Sequence, residues 1–194
     1  ATQTRDPPRT LPGPITMPIL DSLTGLPQTT SFRLALDLAA GEAMQARQPM
    51  SLLVLDLDRF AAFNRRHGAG HGDQELRTIA RLLRVAAGGE ALAGRIGPDV
   101  FASLYPRTTI ASAHERAQLL QAMIEMHVTG LTEPLTASIG VACGPGDREW
   151  TGDDVLDLAL SRCAMAKQAG GNRIHAFGAD DTLLPQRMGW PAVH

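Results

Sequence analysis

The sequence predicts an α+β fold with a mixed, mostly antiparallel central sheet of about five strands, flanked by helices. Two observations support this prediction. Along the chain, the apolar residues switch repeatedly between helical spacing and short runs of strand length, so helices alternate with strands. In the middle of the chain, residues 91–105 contain two apolar runs around a tight Gly-Pro-Asp turn, which is typical of a β-hairpin and hence of an antiparallel pair.

The first half of the chain predicts three helices and a strand before the hairpin. Thr30 to Arg47 is rich in Leu and Ala, and the Ser and Thr at its start could cap a helix. Ser51 to Leu57 is an apolar run of strand length that ends in acidic residues. Residues 59–67 fit a short helix, and Gln74 to Ala86 fit a longer one because its apolar residues follow the i, i+3, i+4, i+7 spacing.

The second half predicts two further helices and two further strands. A helix with one apolar stripe follows the hairpin, and a strand is predicted from Leu135 to Ala142. Another helix runs from about Asp153 to Gln168, where a Gly-Gly pair ends it, and Arg173 to Phe177 closes the domain as a strand. The stripe of the first of these helices consists of Ala113, Ala117, Leu120 and Ile124.

The length and the prolines predict one domain with a flank at each end. A chain of 194 residues and 20.7 kDa is long enough for one substantial core and short for two. Residues 1–18 are Pro-rich and read as a linker or arm, 19–178 as the domain, and 179–194 as a C-terminal linker or tail. Because the chain starts at Ala1 and has Pro-rich flanks, a segment of a larger protein is expected.

Composition excludes several classes of function. Hydrophobic content of 44% and charged content of 20% are ordinary for a globular protein, and a net charge of −2 gives no electrostatic case for nucleic-acid binding. The apolar runs are far shorter than the roughly 20 residues that span a bilayer, so no membrane segment and a cytoplasmic location are expected. Cys143 and Cys163 are too few for a disulfide framework and are expected to be buried free thiols.

Asp56 and Asp58 lie at the end of the predicted central strand, on one face because side chains alternate. Carboxylates in such a position are ready ligands for magnesium, which is commonly held by one or two carboxylates together with substrate phosphates. Acidic residues also end strands merely to reach water. The Asp-x-Asp spacing by itself leaves both interpretations open.

Five blocks in order give the pattern a more specific meaning. They are Asp21 to Leu26, Asp56 to Asn64, Gly72 to Leu76, Leu135 to Ala142 and Ala166 to Arg173, with the hairpin Arg95 to Phe101 between the third and the fourth. In these blocks and the hairpin, over roughly residues 20–178, the chain resembles the GGDEF family, the diguanylate cyclases that join two GTP molecules into cyclic di-GMP. The resemblance implies a nucleotidyl-cyclase-like fold with a ferredoxin-like palm.

The resemblance implies a role for each matching position. Asn64 and Asp73 would hydrogen-bond the guanine base. The Asp56 carboxylate and the main-chain carbonyl of Leu57 would hold magnesium. The phosphate contacts would come from Lys167 and Gly97, and the carboxylate linked to attack of a 3′-hydroxyl on the α-phosphate would be Asp99, here vestigial.

The departures from the family concentrate on phosphate and metal. Val100 replaces the signature glutamate, a magnesium ligand in the family, and Pro98 replaces the second glycine, which removes a backbone donor. Ala61 and Gly171 stand where the family has a phosphate-binding Lys and Arg. Lys167 is the only lysine among 18 basic residues, which favours a retained role against phosphate or in an ion pair over a solvated lysine at a helix end.

These departures predict a degenerate domain, inactive as an enzyme, that regulates or binds other proteins in cyclic di-GMP signalling. The alternatives are a weak diguanylate cyclase and a guanine-nucleotide sensor without turnover. Expected ligands are GTP or another guanine nucleotide, with Mg²⁺ weakened by Val100. Expected partners are a sensor or phosphodiesterase domain, or a second copy of the chain. The family's feedback motif, Arg-x-x-Asp, would fall at Gly88 and Ala91, which do not match, so product inhibition there is not expected.

Overall fold

The computed structural model describes residues 18–89, 91–128, 134–144 and 150–176. The predicted tail at 179–194, and the predicted arm at 1–18 apart from Pro18, lie outside the described residues. The described elements, in chain order, are α1 (Thr29–Ala46), β1 (Met50–Leu57), α2 (Phe60–His67), α3 (Ala69–Ala87), β2 (Leu92–Arg95), β3 (Val100–Pro106), α4 (Ile110–Val128), β4 (Ala137–Gly144), α5 (Gly152–Gln168) and β5 (Ile174–His175).

The strands form one mixed sheet in the order β2-β3-β1-β4-β5. The central strand β1 is antiparallel to both neighbours, β3 and β4, and only β5 runs parallel to its neighbour β4. The predicted hairpin forms β2 and β3, which pair from Leu92↔Leu104 to Arg95↔Phe101. The predicted fold class, a mostly antiparallel mixed sheet of five strands with helices around it, is therefore confirmed.

Each face of β1 is buried in its own apolar cluster. Leu53, Leu55 and Leu57 pack with α3 and α4 on one face. Leu52 and Val54 pack with α1 and α5 on the other. Because side chains alternate along a strand, a strand covered by helices on both faces reads as a continuous apolar run, as β1 does. Asp56 continues the even-numbered face and so lies toward α1 and α5.

Two predicted helix starts differ from the structure. The Ser and Thr expected to cap the first helix lie inside it, since α1 has Gln28 as its N-cap residue with no side-chain cap. Helix α3 starts at Ala69, five residues before the predicted Gln74, and so includes two glycines that the apolar spacing does not reveal. By contrast α5 begins with a capping box, in which Thr151 and Asp154 exchange hydrogen bonds.

Two further expectations concern membranes and thiols. In the described part of the chain, no helix has the length and apolarity needed to cross a bilayer. Cys143 and Cys163 are both free thiols, as predicted. Cys163 is buried on α5, whereas Cys143 on β4 is partly exposed.

Candidate nucleotide-binding site

The signature hairpin closes on itself and lies against the end of β1. The amides of Ile96 and Gly97 both donate to the carbonyl of Val100, at 2.9 and 3.1 Å, which closes the turn around Pro98 and Asp99. The amide of Leu57 donates to the carbonyl of Asp99 at 3.2 Å. The Gly97 amide, expected to face phosphate, is thus engaged inside the turn, and its phosphate role stays a prediction.

Asp21 anchors the base of this hairpin. Its carboxylate accepts from the amide and hydroxyl of Thr24, at 2.8 and 2.6 Å, and pairs with the Arg95 guanidinium at 3.1 Å. Arg95 also donates to the carbonyl of Pro98. Burial raises the pKa of Asp21, but the hydrogen bonds from Thr24 and the charge of Arg95 outweigh it and bring the pKa below 3.8. The first family block therefore holds the signature hairpin in place.

The Asp56 carboxylate forms an ion pair with Lys167. The Lys167 Nζ lies 2.7 Å from the Oδ1 of Asp56 and donates to the carbonyl of Leu57 at 3.4 Å. Burial raises the pKa of Asp56, the Lys167 ammonium opposes this shift, and the negative charges of Asp99 and Asp58 add to it. The structure thus brings together four predicted residues: Asp56, Leu57, Asp99 and Lys167.

Asp58 has a structural role at the same end of β1. Its carboxylate accepts from the hydroxyls of Thr136 and Ser138, at 2.8 and 2.7 Å, and from the amide of Asn172 at 2.8 Å. These three donors occupy three of the roughly four lone-pair positions of a carboxylate. Asp58 therefore ties the last family block to the sheet, which the Asp-x-Asp spacing left open.

Val100 lies directly opposite Asp56 in the β1–β3 ladder. Directly paired residues share one face of a sheet, so a glutamate here would lie beside Asp56. The valine instead packs against the apolar cluster of the α1 and α5 face. It supplies no oxygen to a cation.

The two departures at the family's phosphate-binding positions are Ala61 and Gly171. Ala61 is exposed in the first turn of α2. Gly171 has a φ of +75°, and a Cβ atom on it would lie 2.9 Å from the Oδ2 of Asp58. The backbone is therefore fitted to glycine at the position where the family has an arginine.

Asn64 and Asp73 are both half-buried and lie on neighbouring helices, α2 and α3. The Oδ1 of Asn64 is buried and has no hydrogen-bond partner among the described residues. Gly72 makes this approach of the helices possible, since a Cβ on it would lie 1.8 Å from that oxygen. Sequence reasoning missed this role of Gly72, although a glycine inside a helix is a usable signal of close packing.

The donor set does not fit a magnesium ion. Within the described ranges no group of three or more His, Cys, Asp or Glu side chains could hold a metal. Asp58 is occupied by three donors, Val100 has no ligand atom, and the ammonium of Lys167 contacts both predicted ligands, Asp56 and Leu57. Magnesium is commonly held by one or two carboxylates together with substrate phosphates, and the Asp56 carboxylate is already paired with an ammonium.

Comparisons with known proteins identify the family of the chain. The sequence profile of the family described as "Diguanylate cyclase, GGDEF domain" matches residues 19–173. An uncharacterized protein of Mycobacterium tuberculosis is 37% identical over 82% of this chain and 26% of its own length. Diguanylate cyclase DgcM of Escherichia coli is 31% identical over 80% of this chain and 38% of its own length. The chain thus spans well under half of these relatives.

Solved structures give the same result. The GGDEF domain of FimX from Pseudomonas aeruginosa superposes with a TM-score of 0.74, at 30% identity, over 80% of this chain and 97% of that one. The GGDEF domain of DgcB from Caulobacter crescentus, in complex with c-di-GMP, superposes with a TM-score of 0.75, at 27% identity, over 80% of this chain and 94% of that one. On the family profile, the relatives and the fold, this chain belongs to the GGDEF family.

Proposed function

We propose that this chain is a degenerate GGDEF domain, catalytically inactive, that serves as a regulatory or protein-interaction module in cyclic di-GMP signalling. The observation that carries this proposal is the pairing of Val100 with Asp56. On β3, at the position opposite Asp56 where the family has a glutamate, this chain has an apolar side chain packed against a hydrophobic cluster.

Charge neutralisation explains why this substitution matters. Phosphoryl transfer depends mostly on positioning and on neutralising the phosphate oxygens, and removing one such group commonly lowers the rate by about 100-fold to 1000-fold. Two phosphate-binding cations are absent as well, at Ala61 and Gly171. The remaining one, Lys167, is already paired with Asp56. Several losses together are expected to leave little activity.

The partner we propose is another domain or protein of the same signalling system. The chain spans only 26% to 38% of the curated relatives described above, so most of their length lies outside the matched segment. One structural relative, diguanylate cyclase SiaD from Pseudomonas aeruginosa, was solved in complex with its activator SiaC, at 25% identity and a TM-score of 0.74. A sensor domain, a phosphodiesterase domain or a second copy of this chain would suit the same role.

A second candidate function is that of a guanine-nucleotide sensor without turnover. Asn64 and Asp73 are both kept, and both are half-buried on the neighbouring helices α2 and α3. Guanine offers donors and acceptors on one edge, so an amide and a carboxylate are a suitable pair for it. This function needs the base-binding residues but not the metal ligands.

One experiment separates these functions. The purified protein is incubated with GTP and Mg²⁺ or Mn²⁺, and GTP binding and cyclic di-GMP formation are measured in the same samples, with DgcM as the active control. We expect no product. Sustained turnover would overturn the degenerate assignment. Binding that Asn64→Ala abolishes, without product, would establish the sensor, and the absence of both would leave the interaction module.

A further inference from the structure

We propose that the ammonium group of Lys167 takes the place of a divalent cation in this domain, so that the nucleotide-free protein binds neither Mg²⁺ nor Mn²⁺ at Asp56. The inference rests on the proposed function, because it describes the same site. It concerns cation binding by the free protein and not turnover, so the two proposals fail in different experiments.

The Lys167 ammonium makes the contacts that a bound cation would make. Its Nζ contacts a carboxylate oxygen of Asp56 at 2.7 Å and the main-chain oxygen of Leu57 at 3.4 Å. These are the two groups that the family resemblance assigns to the metal. The lysine reaches them from the last turn of α5, which packs over the same face of β1. The pair is partly shielded, with 35% of the Lys167 side chain and 21% of the Asp56 side chain exposed.

Neighbouring oxygens offer little that would let a metal ion displace the ammonium. The Asp58 carboxylate is held by Thr136, Ser138 and the Asn172 amide, and moving it would break three hydrogen bonds of 2.7 to 2.8 Å. The side chain across the ladder is Val100. A divalent ion would therefore gain one carboxylate and one carbonyl while it expels an ammonium from a partly buried site.

A glutamate at position 100 would favour a divalent ion over the Lys167 ammonium. It would place a second carboxylate beside Asp56, and a divalent ion can neutralise two carboxylates, whereas a monovalent cation cannot. With valine, no second carboxylate faces Asp56 across the β1–β3 ladder, and Lys167 pairs with Asp56. Once the glutamate ligand is lost, the retained lysine is therefore enough to neutralise Asp56.

The test uses Mn²⁺ as the probe and the nucleotide-free protein, with free Mn²⁺ measured by electron paramagnetic resonance. The wild type is expected to bind no Mn²⁺ in the millimolar range through Asp56. Lys167→Met keeps the length of the side chain and removes the charge, and it should raise Mn²⁺ affinity at least about tenfold. The double variant Lys167→Met with Asp56→Asn should lose that gain.

Two results would overturn the inference. One is Mn²⁺ binding by the wild type that Asp56→Asn abolishes. The other is a folded Lys167→Met protein with no gain in Mn²⁺ binding. If Lys167→Met does not fold, Lys167→Gln is tested in its place, and the wild-type titration against Asp56→Asn decides the matter without either variant. Turnover of GTP by the wild type would overturn the proposed function alone, because metal would arrive bound to the nucleotide.

Discussion

Gly72 lies against the Oδ1 of Asn64, at a position where a methyl group would come within 1.8 Å of that oxygen and 3.1 Å of the Cζ of Phe60. The contact is between a helix backbone and a buried amide, so neither partner can move away cheaply. We therefore expect Gly72→Ala to destabilise the domain by about 1–3 kcal/mol, as overpacking does. Urea denaturation would measure the loss, and GTP titration would report any displacement of Asn64.

Gly70 provides the matched control for that substitution. It lies in the same helix, α3, and a Cβ on it would meet nothing within 4 Å. Gly70→Ala should therefore stabilise the protein by up to about 1 kcal/mol through helix propensity. Equal destabilisation by both substitutions would show that close packing at Gly72 is not the cause.

Asp58 should be more important for stability than its half-buried position just after the strand suggests. Asp58→Ala removes one charged acceptor from two hydroxyls and one amide. Hydrogen bonds to charged groups contribute about 1.5–3 kcal/mol, so we expect a loss in the upper part of that range in thermal or urea unfolding. Asp153→Ala, which breaks a surface ion pair with Arg33 at 3.1 Å, is the control and should cost less than about 1 kcal/mol.

Restoring the family residues should strengthen GTP binding if their loss is what silences the site. The triple variant Val100→Glu, Pro98→Gly and Ala61→Lys should bind GTP with Mg²⁺ at least about tenfold more tightly, since one charged hydrogen bond is worth about that factor. Isothermal titration calorimetry would measure it. No gain in a folded triple variant would place the defect elsewhere, for example in dimerisation.

Adding Gly171→Arg to that variant should cost stability. Gly171 has a φ of +75°, where a residue with a side chain is disfavoured by about 1–2 kcal/mol. The new Cβ would also press on the Asp58 carboxylate. The quadruple variant is therefore expected to melt below the triple one. The triple variant is the cleaner test of restored binding.

Acid should weaken the hold of Asp21 on the signature hairpin. The pKa of Asp21 in the folded protein lies below 3.8, its value without these contacts, so the folded state favours the ionised form. The resulting stabilisation is present above pH 3.8 and is lost as the pH falls through the lower pKa of the folded state. Urea denaturation between about pH 5 and pH 2 should show this loss of the free energy of unfolding, and Asp21→Asn should make that free energy depend less steeply on pH. An unchanged pH dependence in Asp21→Asn would contradict the stabilising role of the Asp21 carboxylate.

The two thiols should differ in reactivity. Burial raises the pKa of Cys163 to about 12, with the charge of Asp56 adding to the shift, so its thiolate is scarce at neutral pH. Cys143 is partly exposed. Ellman's reagent should modify one thiol in the native protein and two in denaturant. Cys143→Ser should remove the fast reaction, and rapid modification of Cys163 would disagree with its burial.

Local sequence patterns predicted most of the fold, because apolar residues at helix or strand spacing are the ones that contact the core. The stripe of Ala113, Ala117, Leu120 and Ile124 is buried as a unit under the sheet, and the run of β1 is apolar because both of its faces are covered. The start of α3 was missed because glycine has no side chain to contribute to a periodic pattern.

The site was less accessible to sequence reasoning, because its contacts join distant segments. The sequence shows that Asp58 and Lys167 are present, but it does not show which residues form hydrogen bonds or ion pairs with them. The three donors to Asp58 come from residues after position 135, and the partner of Lys167 lies on the first strand. The sequence leaves a phosphate contact and an ion pair open for Lys167; the structure shows the ion pair with Asp56, and the phosphate contact stays a prediction.

The position of β1 between β3 and β4 also has a consequence for biosynthesis. Lys167 follows Leu57 by 110 residues, and the strands on both sides of β1 are made after it. During synthesis on the ribosome, the Asp56 carboxylate therefore lacks its counter-charge until α5 has been synthesised and has packed against the sheet. The ion pair needs α5, so a truncation before α5 would leave this carboxylate without Lys167 at the end of the central strand.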